Sequence, residues 1–365
     1  MKRKDTADNK IKTRNITLQD VAKTLGVSKA TVSLAINGDP RVALKTRQKI
    51  LQAIGELGYI YNRGAASLST GETRAVGLAV HDFTNPYFAE VCAAIETVLS
   101  SNDRMSFLCN THESVERQQH FIAALVERRA DGLILCPAIN TDMALLRPVF
   151  DWHLPTVLLT RDIAGATLDF VGNDDELGLR QATAHLIGLG HRRIGMLGGG
   201  QNNSVARARR AGFYAAMAAG ELVVDPALVI DCAISPHGGE AAIAIALARQ
   251  PPPTALVCFT DQIALGALSG LHRMGLRPGR DIAVVGCDDI EEASRGYTQL
   301  TTVSINKAAI GEKAAQLLLR RIAEPELPVQ RIIIQPELVI RQSCGSFMTN
   351  VAGQHQDSGG ERGEQ

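Results

Sequence analysis

The chain has 365 residues, 45% of them hydrophobic and only 4% aromatic. At ~150 residues per domain this length predicts two or three domains, and few aromatics beside frequent alanine favour an α/β or α architecture over a β-sandwich. The formal charge is zero, yet residues 1–74 carry 14 Lys and Arg against 6 Asp and Glu, so the first fifth is +8 and the remainder −8. That split assigns the basic part a nucleic acid or a membrane surface as partner. The seven cysteines are odd in number and never in C-x-x-C spacing, which predicts reduced thiols rather than a disulfide framework. No apolar segment follows the start MKRKD, and no apolar run approaches the ~18 residues of a membrane span. A cytoplasmic protein is expected.

In chain order, residues 1–14 are polar and read as a disordered basic tail. Thr17 can cap a helix LQDVAKTL that puts Leu18, Val21, Ala22 and Leu25 on one face. Gly26 permits a sharp turn. Ser28 can cap a second helix, Lys29 to Ile36, which Asn37-Gly38 ends. A third helix covers Leu44–Leu57 with Ile50, Ala53, Ile54 and Leu57 inward, and Gly58 stops it. The first two helices and their glycine turn form a helix-turn-helix unit. Its small core needs Val21, Val32 and Ile36 inside, which leaves Lys29, Ala30, Ser33 and Leu34 facing out.

From Arg74 the pattern becomes βα repeats. Strand-like runs occur at AVGLAV (75–80), MSFLC (105–109), GLILC (132–136) and TVLLT (156–160). A second series follows at RIGMLG (193–198), ALVI (227–230), ALVCF (255–259) and IAVVG (282–286). The helix after the first strand spaces Phe88, Val91, Cys92, Ile95, Val98 and Leu99 at i, i+3, i+4 intervals. Two such series predict two doubly wound parallel sheets with helices on both faces. Residues 346–365 are polar and Gly-rich and read as a flexible tail.

Ligands of doubly wound folds sit beyond the carboxyl ends of the strands. The residues there are His81, Asp82, Tyr87 and Phe88 after the first strand, Arg161 after TVLLT, and Asn173 and Asp174 after a strand near Phe170. Asn203, Val205 and Arg209 follow the loop GGG (198–200), Thr260 and Gln262 follow ALVCF, and Asp288 follows IAVVG. His81 reads as a solvated loop histidine. Polar pairs beside Tyr87 and Phe88 suit a sugar, a sugar phosphate or a nucleobase. Enzyme signatures are missing: GGGQNN is not a G-x-G-x-x-G turn, and no phosphate loop, H-E-x-x-H or G-x-S-x-G occurs. No catalytic residue, cofactor or metal site is therefore expected.

NITLQDVAKTLGVSKATVSLAING, TRQKILQAIGELGYIYNR and AASL, followed by NPYFAEV, DGLIL, LGHRRIG, RARRAGF, TDQIALGAL, DIAVVGCDD and LTTV, resemble the LacI/GalR transcription regulators over roughly residues 15–343. The resemblance implies a helix-turn-helix domain at 15–62, a hinge helix and linker at 63–73, and a core at 74–345 like a periplasmic sugar-binding protein. Its N-subdomain would be 74–173 with 306–334, and its C-subdomain 174–302 with 335–345. It implies a homodimer that represses transcription from a pseudo-palindromic operator under a small-molecule effector.

The family's second helix enters the major groove, where base edges are distinguishable. Lys29, Ala30 and Leu34 match its base-reading positions: Lys29 could donate to guanine, and Ala30 and Leu34 could meet thymine methyls. Thr17, Ser28, Thr31, Ser33 and Asn37 fit phosphate or sugar contacts. RGAASL (63–68) matches the hinge helix, with Asn62 as its cap, Ala65 and Ala66 allowing close approach, and Leu68 as a minor-groove wedge. Gly64 and Tyr61 depart from that pattern. So does Ala43, where a Ser or Thr commonly caps the third helix, at a cost of ~1 kcal/mol. Gly55 inside that helix costs ~1 kcal/mol more, and a marginal DNA-binding unit is expected. Arg209 and Asp288 match effector contacts, whereas Val205 and Ile234 stand where relatives often place polar or aromatic ones. The alternatives are a sugar-binding protein without a DNA role and an α/β enzyme acting on a sugar.

Overall fold

The computed structural model describes residues 16–60, 72–200 and 202–346. The chain divides into two compact units, Met1–Thr73 and Arg74–Gln365. The expected disordered tail at 1–14, the hinge positions Asn62, Ala65 and Leu68, and nearly all of the expected C-terminal tail lie outside the described residues.

The first unit holds three helices, α1 (Leu18–Leu25), α2 (Lys29–Ile36) and α3 (Leu44–Leu57). Thr17 caps α1 in a capping box with Asp20, each side chain satisfying a backbone N–H of the other. Ser28 caps α2 by accepting from the Thr31 N–H at 3.0 Å. Ala43 precedes α3 in an extended conformation, φ −54° and ψ 140°, with no side-chain cap. Gly58 ends α3 at φ 67°, a conformation that favours glycine. The core is Val21, Ala22, Val32, Ala35, Val42, Ile50 and Ala53. Two expectations for α2 are corrected. Its buried positions are Val32 and Ala35, with Ile36 only half-buried. Ser33 and Leu34, expected outward, are half-buried, Leu34 against the same core, because a two-turn helix packed on two neighbours turns more than one stripe inward.

The second unit is α/β. Among its described residues are β1 (Ala75–Val80), α4 (Pro86–Ser101), β2 (Met105–Asn110), α5 (Val115–Glu127), β3 (Gly132–Leu135), α6 (Arg147–Asp151), β4 (Thr156–Leu159) and β5 (Asp169–Asn173). There follow α7 (Asp175–Gly188), β6 (Ile194–Leu197), α8 (Ser204–Ala219), β7 (Val229–Ile230), α9 (Pro236–Leu247), β8 (Ala255–Cys258), α10 (Asp261–Arg273), β9 (Ala283–Asp288) and α11 (Glu291–Arg295). The last elements are β10 (Thr301–Ser304), α12 (Lys307–Ala323), β11 (Arg331–Ile334) and β12 (Glu337–Val339).

These strands build two six-stranded sheets, ordered β11-β5-β4-β3-β1-β2 and β12-β10-β9-β8-β6-β7. Every pairing is parallel except β10 with β12. The central strands β3, β4, β6 and β8 are buried at every residue, as a parallel sheet covered on both faces requires. We call the two halves the first and second lobe. The chain passes between them after β5, after β10 and after β11. Helices pack at backbone distance where a glycine permits it. A Cβ on Gly212 of α8 would lie 2.1 Å from the Glu176 carbonyl of α7, and one on Gly311 of α12 would lie 2.5 Å from the Val91 carbonyl of α4.

Candidate functional site: the interlobe cleft and the face of the second helix

The carboxyl ends of both sheets supply one cavity of about 50 Å³. Eight of the eleven expected effector residues line it: Tyr87, Phe88, Arg161, Asn203, Val205, Arg209, Thr260 and Asp288. Asn173, Asp174 and Gln262 do not. Asn173 is buried at the end of β5, and neither of its amide atoms has a hydrogen-bond partner among the described residues. Asp174 caps α7 through the Leu177 N–H, and Gln262 is half-buried on α10. The cavity also takes in His81, Asn85, Thr160, Ile234 and Phe259.

Arg209 is the centre of the second lobe's wall. It is 3% exposed, with Nε on Asp175 Oδ1 at 2.8 Å, Nη2 on Asp288 Oδ1 at 3.0 Å and Nη1 on the Phe259 carbonyl. Burial pushes the Asp288 carboxyl up to about 6, against the lowering effect of Arg209, and burial likewise raises Asp175. One guanidinium thus faces two carboxylates. Asp288 itself has φ 119°, a strained backbone for a residue with a side chain. Lys307, at the start of α12 in the first lobe, holds that turn by donating to the carbonyls of Asp288 at 2.9 Å and Asp289 at 2.6 Å. Neighbouring Asp261 accepts from Thr302 Oγ1 at 2.5 Å and the Ile290 N–H at 3.0 Å, and burial pushes its carboxyl up to about 7.

The first lobe's wall is aromatic. Asn85 and Pro86 start α4 and so fix Tyr87 and Phe88, whose rings meet edge-on at 4.9 Å. Tyr87 Oη and Thr160 Oγ1 are 3.0 Å apart. Arg161 forks onto Glu113, with Nη1 to Oε2 at 2.9 Å and Nη2 to Oε1 at 2.8 Å, and Nη1 also reaches the Pro137 carbonyl. The expectation of a solvated His81 is overturned. Its ring packs on Phe88 at 4.5 Å and accepts from Arg161 Nη2 at 3.4 Å. Burial, with Arg161 beside it, pushes the imidazole down to about 4, so it is neutral near pH 7. Asn203 caps α8 by accepting from the Ala206 N–H at 2.9 Å. The buried Thr260 hydroxyl has no partner among the described residues.

A second cavity of about 360 Å³ adjoins the first and shares Arg161 and Asn203 with it. Both lobes contribute, and the Asp162 N–H donates across to Ser204 Oγ at 2.8 Å.

On the first unit, Ser28, Lys29 and Ala30 are exposed at the start of α2, and Asn37 is exposed at its end. Thr31, Ser33 and Leu34 are half-buried. Thr17 is exposed at the start of α1. Lys45 and Lys49 are exposed on α3.

A family model described as "Bacterial regulatory proteins, lacI family" matches residues 17–62, and one described as "Periplasmic binding protein-like domain" matches residues 183–344. The HTH-type transcriptional repressor PurR of Haemophilus influenzae (strain PittEE) is 37% identical, over 91% of this chain and 99% of its own. The ribose operon repressor of Haemophilus influenzae (strain ATCC 51907 / DSM 11121 / KW20 / Rd) is 32% identical, over 91% and 99%. Among solved structures, the lac repressor dimer bound to operator and the anti-inducer ONPF has a TM-score of 0.81 at 28% identity, covering 91% of this chain and 99% of that one. The CelR–cellobiose complex has a TM-score of 0.69 at 29% identity, over 90% and 100%. With relatives this similar along nearly its whole length, the chain belongs to the LacI family of bacterial regulatory proteins and is a DNA-binding transcriptional repressor with a small-molecule effector.

Proposed function

We propose that this repressor acts in the cytoplasm, without enzymatic turnover, as a homodimer on a pseudo-palindromic operator, and that its effector is a neutral sugar held between the lobes. The Arg209 constellation carries the effector reading. Donor and acceptors converge on a buried cavity, and the Thr260 hydroxyl beside them, without a partner among the described residues, suits a ligand hydroxyl. Two carboxylates against one guanidinium disfavour a sugar phosphate. The aromatic wall of Tyr87 and Phe88 supports a second reading, a planar nucleobase. Ligand bound across both walls would favour one angle between the lobes, and operator affinity would follow through its differential affinity for the two states.

For DNA, Lys29, Ala30 and Leu34 read base edges, while Thr17, Ser28, Thr31, Ser33 and Asn37 meet the backbone. At the hinge, 63–73, Asn62 would be the cap, Ala65 would allow close approach and Leu68 would be the minor-groove wedge. The exposed start of α2 and its freedom from acidic residues in the first turn support the placement of Ser28, Lys29 and Ala30, and Leu34 would reach the groove only with the half of its side chain left outside the core. The edge strand β2 exposes Met105, Phe107 and Leu108 at 68%, 46% and 57%, an apolar edge that a second copy would cover.

The test is selection of bound duplexes from a random library. An enriched palindrome is expected, and binding without sequence preference would refute operator reading. The selected operator then serves to compare sugars, sugar phosphates and nucleobases for their effect on binding. A response to phosphates alone would overturn the neutral-sugar reading.

A further inference from the structure

Lys307 stands where the chain has just crossed from β10 of the second lobe to α12 of the first. Its side chain is buried, yet it reaches back across that crossing. The ammonium group has three donors. Two go to the carbonyls of Asp288 at 2.9 Å and Asp289 at 2.6 Å in the second lobe, and Glu90 Oε1 of α4 in the first lobe lies 3.6 Å away. Each end is anchored. On the first lobe, Gly311, one turn along α12 from Lys307, abuts the backbone of α4 at Val91, the residue after Glu90. On the second, Arg341 ties the Asp289 carboxylate, through Nη2 at 2.7 Å, to the Leu300 carbonyl, through Nη1 at 2.8 Å. The Asp288 carboxylate receives Arg209 Nη2 at 3.0 Å.

Asp288 and Asp289 both have positive φ, 119° and 50°, a conformation that residues with side chains keep only where their surroundings impose it. The donors that impose it here come from both lobes. We propose that Lys307 is a strut that couples the angle between the lobes to the Asp288–Asp289 turn, positioning the Asp288 carboxylate in the effector cleft and holding the lobes at the angle seen here. This rests on the reading that lobe angle governs operator affinity. A rotation that parts the lobes by about 1 Å at this point takes the bond to the Asp288 carbonyl out of hydrogen-bonding range. The turn then loses its first-lobe donor and is free to relax, and the Asp288 carboxylate shifts on Arg209. In the reverse direction, a pull on that carboxylate is felt through Lys307 by α12 and α4, and the first turn of α4 carries Tyr87 and Phe88. The other tie already described between the lobes, the Asp162 N–H to Ser204 Oγ, is a single neutral bond. The two bonds from Lys307 are charge-assisted and so the stronger tie.

The experiment uses the full-length protein without any ligand. Electron double resonance reads the distance between nitroxides on Glu127→Cys, at the end of α5, and Ala248→Cys, just after α9, two exposed positions on opposite lobes. Cys109→Ser and Cys232→Ser remove the two half-buried thiols, the other five being buried, and excess unlabelled protein keeps the distances within one chain. Fluorescence anisotropy reads the affinity of the same chains for the selected operator. Lys307→Met keeps the apolar stem and removes the donors. It is expected to shift the interlobe distance by about 2 Å or more and to change operator affinity by about fivefold or more. Lys307→Arg, which keeps charged donors, should restore both. A lysine that merely satisfied two carbonyls would lower the unfolding temperature on substitution and leave the distance unmoved. An unmoved distance in Lys307→Met therefore overturns the strut, whatever the operator affinity. If Lys307→Met does not fold, Lys307→Gln, uncharged and shorter, is judged by the same criterion. A shifted distance with unaltered operator affinity upholds the strut and overturns the reading that lobe angle governs operator affinity.

Discussion

Helix α3 begins without a cap, and that defect can be repaired. Ala43 has almost the backbone conformation of Ser28, φ −54° and ψ 140° against −74° and 152°, yet only Ser28 supplies a side-chain acceptor. Ala43→Ser should let the new hydroxyl accept from the Thr46 N–H, a gain of about 1 kcal/mol. Gly55, in the same helix, is exposed, and a Cβ built on it meets nothing within 4 Å. Gly55→Ala should therefore add about 1 kcal/mol by helix propensity alone. The two sites are about 18 Å apart along the helix, far enough to add. Together they give about 2 kcal/mol, or roughly 30-fold slower hydrogen exchange at the amides of Val21, Val32 and Ile50 when exchange follows opening of the whole unit. The assay is exchange on the full-length protein without DNA. An unchanged rate in Ala43→Ser would refute the claim that the start of α3 lacks a stabilising cap.

Arg209→Ala should abolish the effector response while the protein still binds operator. Leaving Asp175 and Asp288 buried without their partner should also cost about 3 kcal/mol in core stability, read by thermal unfolding; a normal effector response would move the ligand elsewhere. Asp261 and Asp288 have native carboxyls raised above their unfolded values, so the native state binds more protons and stability should fall as pH rises from about 4 to about 7. Asp261→Asn should flatten that slope, and an unaltered slope would show that Asp261 does not titrate in this window. Lys29→Ala should relax preference at one symmetric base pair by about 1–3 kcal/mol, measured by competition between operator variants. Phe107→Asp should convert the dimer to monomer in sedimentation; a dimer that survives it would remove β2 from the interface.

The strands read from the sequence were short runs dominated by apolar residues, and burial on both faces is what makes runs such as those of β3, β4 and β8 visible. The short strands β10 and β12 carry polar or charged residues such as Thr301 and Glu337, which leave no apolar run to mark them, and β11 offers only the three residues Ile332 to Ile334. Helix starts were legible at Thr17 and Ser28, because capping is local chemistry. The cleft was legible as far as its residues follow strand ends. Its electrostatics were not: Asp175 lies 34 residues from Arg209, and Glu113 lies 48 from Arg161. His81 was misread for the same reason. Arg161 and Cys136, which help to bury it, arrive from 80 and 55 residues away. Leu34 was misjudged because an eight-residue helix shows too few turns to define its inner face.

The glycine contacts between helices have a mechanical consequence. Where backbone meets backbone, as at Gly212 and Gly311, no side chain is left to bend out of the way, and each lobe behaves as a stiff plate. Compliance is then left to the three connecting segments, around residues 173–175, 304–307 and 334–337. A plate cannot absorb a wedge locally by denting. Whatever opens or closes the gap at one edge is converted into rotation about the line of those connections, and the far edges of the plates travel farthest.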